Sequence, residues 1–271
     1  MDIWYNSIND ISVLKDLTNL TVLQIDNNKI TDITPLQGLT ALETLDLGTN
    51  LIDDISVLKD LTNLTSLYIC KNIISDISPL QNLKKISTLG LWDNLINDIS
   101  VLKDLTNLTV LYIYNNKITD ISPLKNLINL TDLYIYNNQI TDISPLQNLT
   151  NIQKLGLWDN SINDISTLKG LTKLSILYIS NNLITDISPL QGLTALESLD
   201  IGNNPIKDIS PLKKLKNLNS LGLNYISLTD ATILYELTKL TRLYLIDTNL
   251  TNDQVNDLKR NLTKCEIVTS Q

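Results

Sequence analysis

LYIYNNKITDISPLKNLINLTDLYIYNN, Leu111 to Asn138, contains one hexamer twice, at Leu111–Asn116 and again at Leu133–Asn138. The copies lie 22 residues apart, and Leu-x-Ile-x-x-Asn recurs at that offset in both directions. A fixed period in the twenties marks a solenoid, in which each repeat is one supersecondary unit that buries its apolar side only against its neighbours.

Taking Leu23 as position one of a repeat, the equivalents run Met1, Leu45, Leu67, Leu89, Leu111, Leu133, Leu155, Leu177, Leu199, Leu221, Leu243 and Cys265. Position three is Ile or Leu, as in Ile25, Leu47, Ile69, Leu91 and Ile113. Alternation at period two predicts a short strand with positions one and three inward. Position six is Asn from Asn6 through Asn204. Such an Asn has two donors and an acceptor for the backbone of its own and neighbouring turns, so a stacked column predicts a structural ladder. Ile30, Ile33, Leu36, Leu39 and Leu42 continue the inward set. Ser or Thr before Pro, as at Thr34–Pro35 and Ser122–Pro123, predicts an N-cap with Pro at the first position of a short return helix.

The chain has 271 residues, 43% of them apolar. The unbroken register predicts a single domain over residues 1–271, of about twelve repeats. No apolar run is long enough to span a membrane, so no membrane insertion is expected. The formal net charge is -8. One Asp recurs per repeat, at Asp10, Asp32, Asp54, Asp76, Asp98, Asp120, Asp142, Asp164, Asp186, Asp208 and Asp230. A residue at one fixed place in every turn reads as a structural cap. Setting those eleven aside leaves 18 acidic residues against 21 Lys and Arg. No basic stripe accompanies the aromatics, which disfavours nucleic acid. There is no His, and the two cysteines, Cys70 and Cys265, stand far apart in the repeat series. Neither a metal site, a cofactor nor a catalytic residue set is expected.

Leu105-x-x-Leu108-x-x-Leu111-x-Ile113-x-x-Asn116-x-Ile118-x-Asp120-Ile121-x-x-Leu124 resembles the 22-residue leucine-rich repeat at every position. This subclass resembles the internalins of bacterial surfaces and is also similar to the leucine-rich-repeat regulatory subunit of protein phosphatase 1. The resemblance implies an α/β solenoid: a right-handed horseshoe or arc with a parallel concave β-sheet and a short 3₁₀ or helical convex side. It bears on fold more than on function, because one fold hosts many partners.

The ends differ. Ile226 and Thr248 replace the ladder Asn, and residues 221–271 read as C-terminal capping repeats. Asp230–Leu237 and Asn252–Leu262 read as fuller helices, the second opened by a capping box, Thr251-x-x-Gln254. The last repeats are expected to cover their edge near Cys265. Met1–Tyr5, by contrast, reads as an exposed first strand, which invites self-association. The start inside a repeat reads as a fragment's start. A leader upstream would place the protein at the cell surface or outside the cell, and its lack would place it in the cytoplasm.

Positions two and four face the concave side. All three Trp fall at position four, seven of the ten Tyr fall at positions two or four, and Phe is absent. Aromatics destined for the core would occupy the inward columns. The dense part is Tyr68, Trp92, Tyr112, Tyr114, Tyr134, Tyr136, Trp158 and Tyr178, flanked by Asp93 and Asp159 and by Lys71, Asp132 and Lys154. Six strands would carry it over roughly 24 Å. Tyr and Trp are the usual anchors of protein interfaces. Gly90 beside Trp92 and Gly156 beside Trp158 read as open spaces that a partner enters. The expected function is non-enzymatic protein binding on the concave face, internalin-like adhesion or recognition by resemblance. The alternatives are a phosphatase-regulator-like scaffold, carbohydrate binding on the ring platforms, and a passive spacer. The sequons, such as Asn63-Leu-Thr65 and Asn107-Leu-Thr109, read as by-products of the T-N-L-T consensus.

Overall fold

The computed structural model describes residues 1–270. They form two compact units, Met1–Gln139 and Ile140–Gln271. In the first unit β1 (Val22–Gln24), β2 (Thr44–Asp46), β3 (Ser66–Tyr68), β4 (Thr88–Gly90), β5 (Val110–Tyr112) and β6 (Asp132–Tyr134) pair in parallel in chain order. The register is the repeat itself: Leu23 lies opposite Leu45, and Leu111 opposite Leu133. In the second unit β7 (Lys154–Gly156), β8 (Ile176–Tyr178), β9 (Ser198–Asp200), β10 (Ser220–Gly222) and β11 (Arg242–Tyr244) do the same. β12 (Glu266–Val268) also pairs in parallel with β11, but Leu243 lies opposite Ile267, so Ile267 and not the expected Cys265 takes position one of the last strand.

The strands are short because the inward side chains must turn with the chain. Leu23, Ile25, Ile30, Ile33, Leu36, Leu39 and Leu42 are each at most 2% exposed, so all seven inward positions of this repeat are core. The return legs are 3₁₀ turns, for example Ser122–Asn126. Leu124, Leu127 and Leu130 are three apart and all fully buried, which fits three residues per turn.

Two expectations need correction here. Asp230–Leu237 is no fuller helix: it is a 3₁₀ turn, Thr232–Glu236, with the same three-residue spacing of Leu234, Leu237 and Leu240. The Ser and Thr before Pro are not N-caps either. They are the first residues of the turns, the cap position is an Ile, and no side chain caps there. The capping is done two residues earlier, by the Asp column. Asp120 Oδ1 accepts the Ser122 N–H at 2.7 Å, and its other oxygen accepts the Ser122 hydroxyl at 2.9 Å. Each of the eleven Asp accepts the backbone N–H two residues on, from Ser12 at Asp10 to Thr232 at Asp230.

The Asn column is a ladder as expected. Asn116 Nδ2 donates to the carbonyls of Ile113 at 3.2 Å, Tyr114 at 3.1 Å and Leu91, one repeat back, at 3.1 Å. Its oxygen accepts the Ile96 N–H at 3.0 Å. One side chain thereby satisfies four backbone groups of two repeats. The sequon asparagines are structural too. Asn63 and Asn107 donate to the backbone carbonyls of Thr40 and Lys84, 2.8 and 2.7 Å away.

A second column was not foreseen. Position five of the twelve full repeats is left-handed, from Tyr5 through Asn27, Thr49 and Lys71 to Asp247, with φ between 48° and 60°. The chain leaves the strand there, and Asn and Asp tolerate that conformation best. At the C-terminal end α1 (Asn252–Asn261) carries the expected capping box of Thr251 and Gln254 and buries Leu258. Beyond α1, β12 is the last strand, and its far side is unpaired among the described residues. The covered edge expected near Cys265 is thus supplied by β12 for β11 and is absent for β12 itself. At the other end Met1 and Ile3 bond to β1, the Ile3 N–H donating to Gln24 O at 2.9 Å, while Trp4 and Tyr5 are exposed.

Candidate protein-binding face

Strand pleating puts the residue before position one on the same face as positions two and four. The outward face therefore has three columns, and the middle and last carry the rings. In the first unit Trp92, Tyr114 and Tyr136 stack along position four. Trp92 and Tyr114 have centroids 5.5 Å apart at 17°, and Tyr114 and Tyr136 are 4.1 Å apart at 12°. Tyr112 and Tyr134 run beside them at position two, 5.5 Å apart. Trp92 meets Tyr112 edge-on at 6.0 Å, and Tyr68 meets Trp92 at 6.1 Å. Six of the eight rings singled out from the sequence thus form one contiguous patch. In the second unit Trp158 and Tyr178 pair edge-to-face at 6.0 Å.

All eight rings are half-buried, whereas the leucines between them are fully buried. The shielding comes from ring on ring. Burial pushes the Tyr114 phenol well above its ordinary range, and its hydroxyl hydrogen bond with Tyr136 adds to the shift. Tyr136 is also raised by burial, with the Tyr114 bond pulling the other way. Both phenols stay neutral and offer a polar tip on an apolar body.

Gly90 does not leave an open space. A Cβ there would lie 2.5 Å from Tyr68 Cδ1 and 2.6 Å from Trp92 Cζ3, because the neighbouring rings already occupy the volume. The glycine is what lets Tyr68 and Trp92 meet. Gly156 is likewise buried.

Asp93 sits at the left-handed position and accepts the side-chain amide of Asn115, whose oxygen accepts the Asn137 amide at 2.8 Å. This polar rail borders the stack. Lys71 and Asp159 hold the same backbone position, Asp159 exposed in the second unit. Asp132 accepts the Thr131 hydroxyl at 2.8 Å. Lys154 lies in β7.

Cys70 occupies position four next to Trp92 and is buried. Burial, and then the Asp46 carboxylate, push its thiol up to about 12. Asp46 is itself raised, chiefly by burial, though the Gly48 N–H bonds it at 2.9 Å. Both cysteines are free thiols. Among the described residues no group of acidic or Cys side chains has the arrangement of a metal site, and no helix is long and apolar enough to cross a membrane.

Of the first outward column sequence reasoning named only Asp132 and Lys154, as flanking charges, and missed Ser198, Ser220 and Arg242. Extending the period-two alternation one residue back would have found them.

The family model for leucine-rich repeats matches residues 1–38, 18–60, 106–148, 150–192, 172–214 and 194–236. Among solved structures, the internalin inlF of Listeria monocytogenes is 37% identical over all of this chain and 86% of its own, with a TM-score of 0.86. The internalin inlC2 of the same organism is 40% identical over 69% of this chain and 82% of its own, with a TM-score of 0.67. The functional domain of InlJ, also from Listeria monocytogenes, is 25% identical over 98% of this chain and 56% of its own, with a TM-score of 0.83. No curated protein sequence matches the chain.

Proposed function

The chain belongs to the leucine-rich-repeat family, in its internalin-like form, and on that premise we propose that it is a non-enzymatic protein-binding module of bacterial-surface type, for adhesion or recognition. The observation that carries this reading is the patch of Tyr68, Trp92, Tyr112, Tyr114, Tyr134 and Tyr136, held ring to ring on the outward face of one sheet. Asp93 borders that patch in the first unit, and Trp158, Tyr178 and Asp159 are proposed as binding residues of the second unit in their own right. Large rigid rings with polar tips give contact area at small entropic cost, which is why they anchor interfaces. A standard interface takes roughly 800 Å² from each partner, and the six rings of the first unit supply a large part of it. A spacer has no use for such a face.

The absence of enzymatic activity is part of the proposal. The most sheltered nucleophile on the face, Cys70, has its thiol raised to about 12, opposite to the lowered thiol of a catalytic cysteine. We also read residues 1–271 as one domain, because the sequence register continues unchanged past Gln139, and a single thermal transition is the expected sign of it.

Capture with the immobilised chain tests the reading. The parent should retain a protein that a Trp92→Ala, Tyr136→Ala double variant does not, and a polysaccharide array should stay blank. Saturable binding to a polysaccharide that the double variant loses would move the assignment to carbohydrate.

A further inference from the structure

The second unit has a cavity of about 310 Å³ on the outward face of its sheet, between Tyr178 and Tyr244, with Asp200, Gly222, Ser220 and Arg242 in its lining. Position two of β8 to β11 reads Tyr178, Asp200, Gly222, Tyr244 in register. Three strand spacings put the two tyrosine backbones roughly 14 Å apart. In the first unit the comparable run Tyr68, Gly90, Tyr112 is closed by the Trp92 ring. Here position four carries Gly202 and Asn224, so no ring closes the slot.

Asp200 leans over Gly222. A Cβ on that glycine would lie 2.8 Å from the Asp200 carboxyl carbon, so only glycine leaves the carboxylate this place. One Asp200 oxygen accepts the Gly202 N–H at 3.0 Å. The other has no hydrogen-bond or ionic partner among the described residues. The Tyr178 hydroxyl lies 3.3 Å from Ser198 Oγ, which fixes one wall.

A carboxylate with an open oxygen between two tyrosine side chains matches a guanidinium. The planar fork bonds the carboxylate, and one flat face lies against a tyrosine ring. The Ser220 hydroxyl is an acceptor for a further N–H. Arg242, in the first outward column, has no ionic partner among the described residues and carries charge of the same sign as the ligand. It therefore opposes a second basic group in the slot, and the attraction of the seated cation rests on Asp200 alone. The geometry points to a subsite for an arginine side chain of a protein partner, seated on Asp200 between Tyr178 and Tyr244. The inference rests on the reading that this face binds protein, and its probe titration does not need the partner.

The probe is N-acetyl-L-arginine amide, titrated into the isotopically labelled full chain and followed by NMR. Saturable shifts at Tyr178, Gly222 and Tyr244 are expected, with the neutral isostere N-acetyl-L-citrulline amide at least tenfold weaker. Asp200→Asn, which keeps an oxygen for the Gly202 N–H, should weaken the arginine probe at least tenfold. Arg242→Gln should bind it as well as the parent or better. No saturable shift, equal binding of citrulline, or an unaffected Asp200→Asn would each overturn the subsite. N-acetyl-L-glutamate amide binding that Arg242→Gln abolishes would overturn it in favour of an anion site. A failed probe alongside partner binding lost in Trp92→Ala sinks the subsite alone. A bound probe alongside unaffected partner binding in Trp92→Ala sinks the aromatic reading alone.

Discussion

Tyr114 and Tyr136 stand face to face, their ring centroids 4.1 Å apart and their planes 12° from parallel. The two residues are 22 positions apart, so the contact repeats the register of β5 and β6 one step beyond the strands. Stacking of this kind adds about 0.5–1.5 kcal/mol beyond area burial. It keeps the outward face rigid before any partner arrives, which lowers the cost of ordering it on binding.

The ladder gives the first prediction. Asn116→Ala leaves the Leu91, Ile113 and Tyr114 carbonyls and the Ile96 N–H without their side-chain partner. Unsatisfied buried groups cost about 1–3 kcal/mol. Thermal and denaturant melts should show a loss of that size, and an unchanged midpoint would remove the ladder from the account.

The left-handed column gives the second. Thr49 is β-branched and sits at φ 53°, where Asn27 and Asn115 occupy the equivalent place. The left-handed region costs an ordinary L-residue roughly 1–2 kcal/mol, and Asn less. Thr49→Asn should stabilise by about 0.5–1 kcal/mol, read as a raised melting temperature. A lower melting temperature would mean that the Thr49 side chain contributes more than its backbone strain costs.

Acid stability is the third. The carboxyls of Asp10, Asp32, Asp98, Asp164, Asp208 and Asp230 are held below the usual range, first by the backbone N–H and then by the hydroxyl of the Ser or Thr two residues on. A depressed folded-state value contributes stability that is present above the unfolded value, about 3.9, and lost as pH falls through the folded one. These caps should therefore keep their contribution from pH 7 to about 5 and lose it below about 4. Asp46 has the opposite sign. Its value is raised by burial, so its contribution favours folding at low pH and is lost as pH rises through the raised value. Asp46→Asn should melt higher than the parent at pH 7 and show no advantage at pH 3. Melts across that range check both signs.

The thiols give the fourth. Cys70 is buried, with its thiol pushed up to about 12, while Cys265 is half-buried and raised less. The thiolate is the reactive form. A thiol reagent at pH 8 should label Cys265 in the native protein and reach Cys70 only after unfolding. Rapid native labelling of Cys70 would show that the position-four column opens around Trp92.

Much of this was legible because each structural demand recurs every 22 residues. The inward leucines, the Asn ladder and the Asp caps repeat without exception over most of the chain, so one reading of Leu111–Asn138 serves for all. The left-handed position was hidden, since Tyr5, Thr49, Lys71 and Tyr225 break the Asn and Asp pattern there. Asp230–Leu237 was misread because so short a segment shows few apolar repeats; the leucines at every third position, Leu234, Leu237 and Leu240, were the usable sign. Gly90 was misread because a missing side chain resembles space until the neighbouring rings are placed. The slot over Gly222 escaped notice because its Asp200 and Arg242 come from different columns of the face.

The central claim is that the rings of the first unit are the energetic centre of a protein-binding surface. Titration of the captured partner against the parent, Trp92→Ala, Tyr136→Ala and the exposed return-leg variant Lys125→Ala tests it most directly. Truncating a hot-spot residue costs about 2 kcal/mol or more, roughly a 30-fold loss of affinity. Trp92→Ala and Tyr136→Ala should each show a loss of that order under conditions where both variants remain folded, with melting temperatures lowered only by the lost ring contacts, and Lys125→Ala should bind like the parent. Parental affinity in both ring variants, with binding lost in Lys125→Ala or in a terminal variant, would contradict the account.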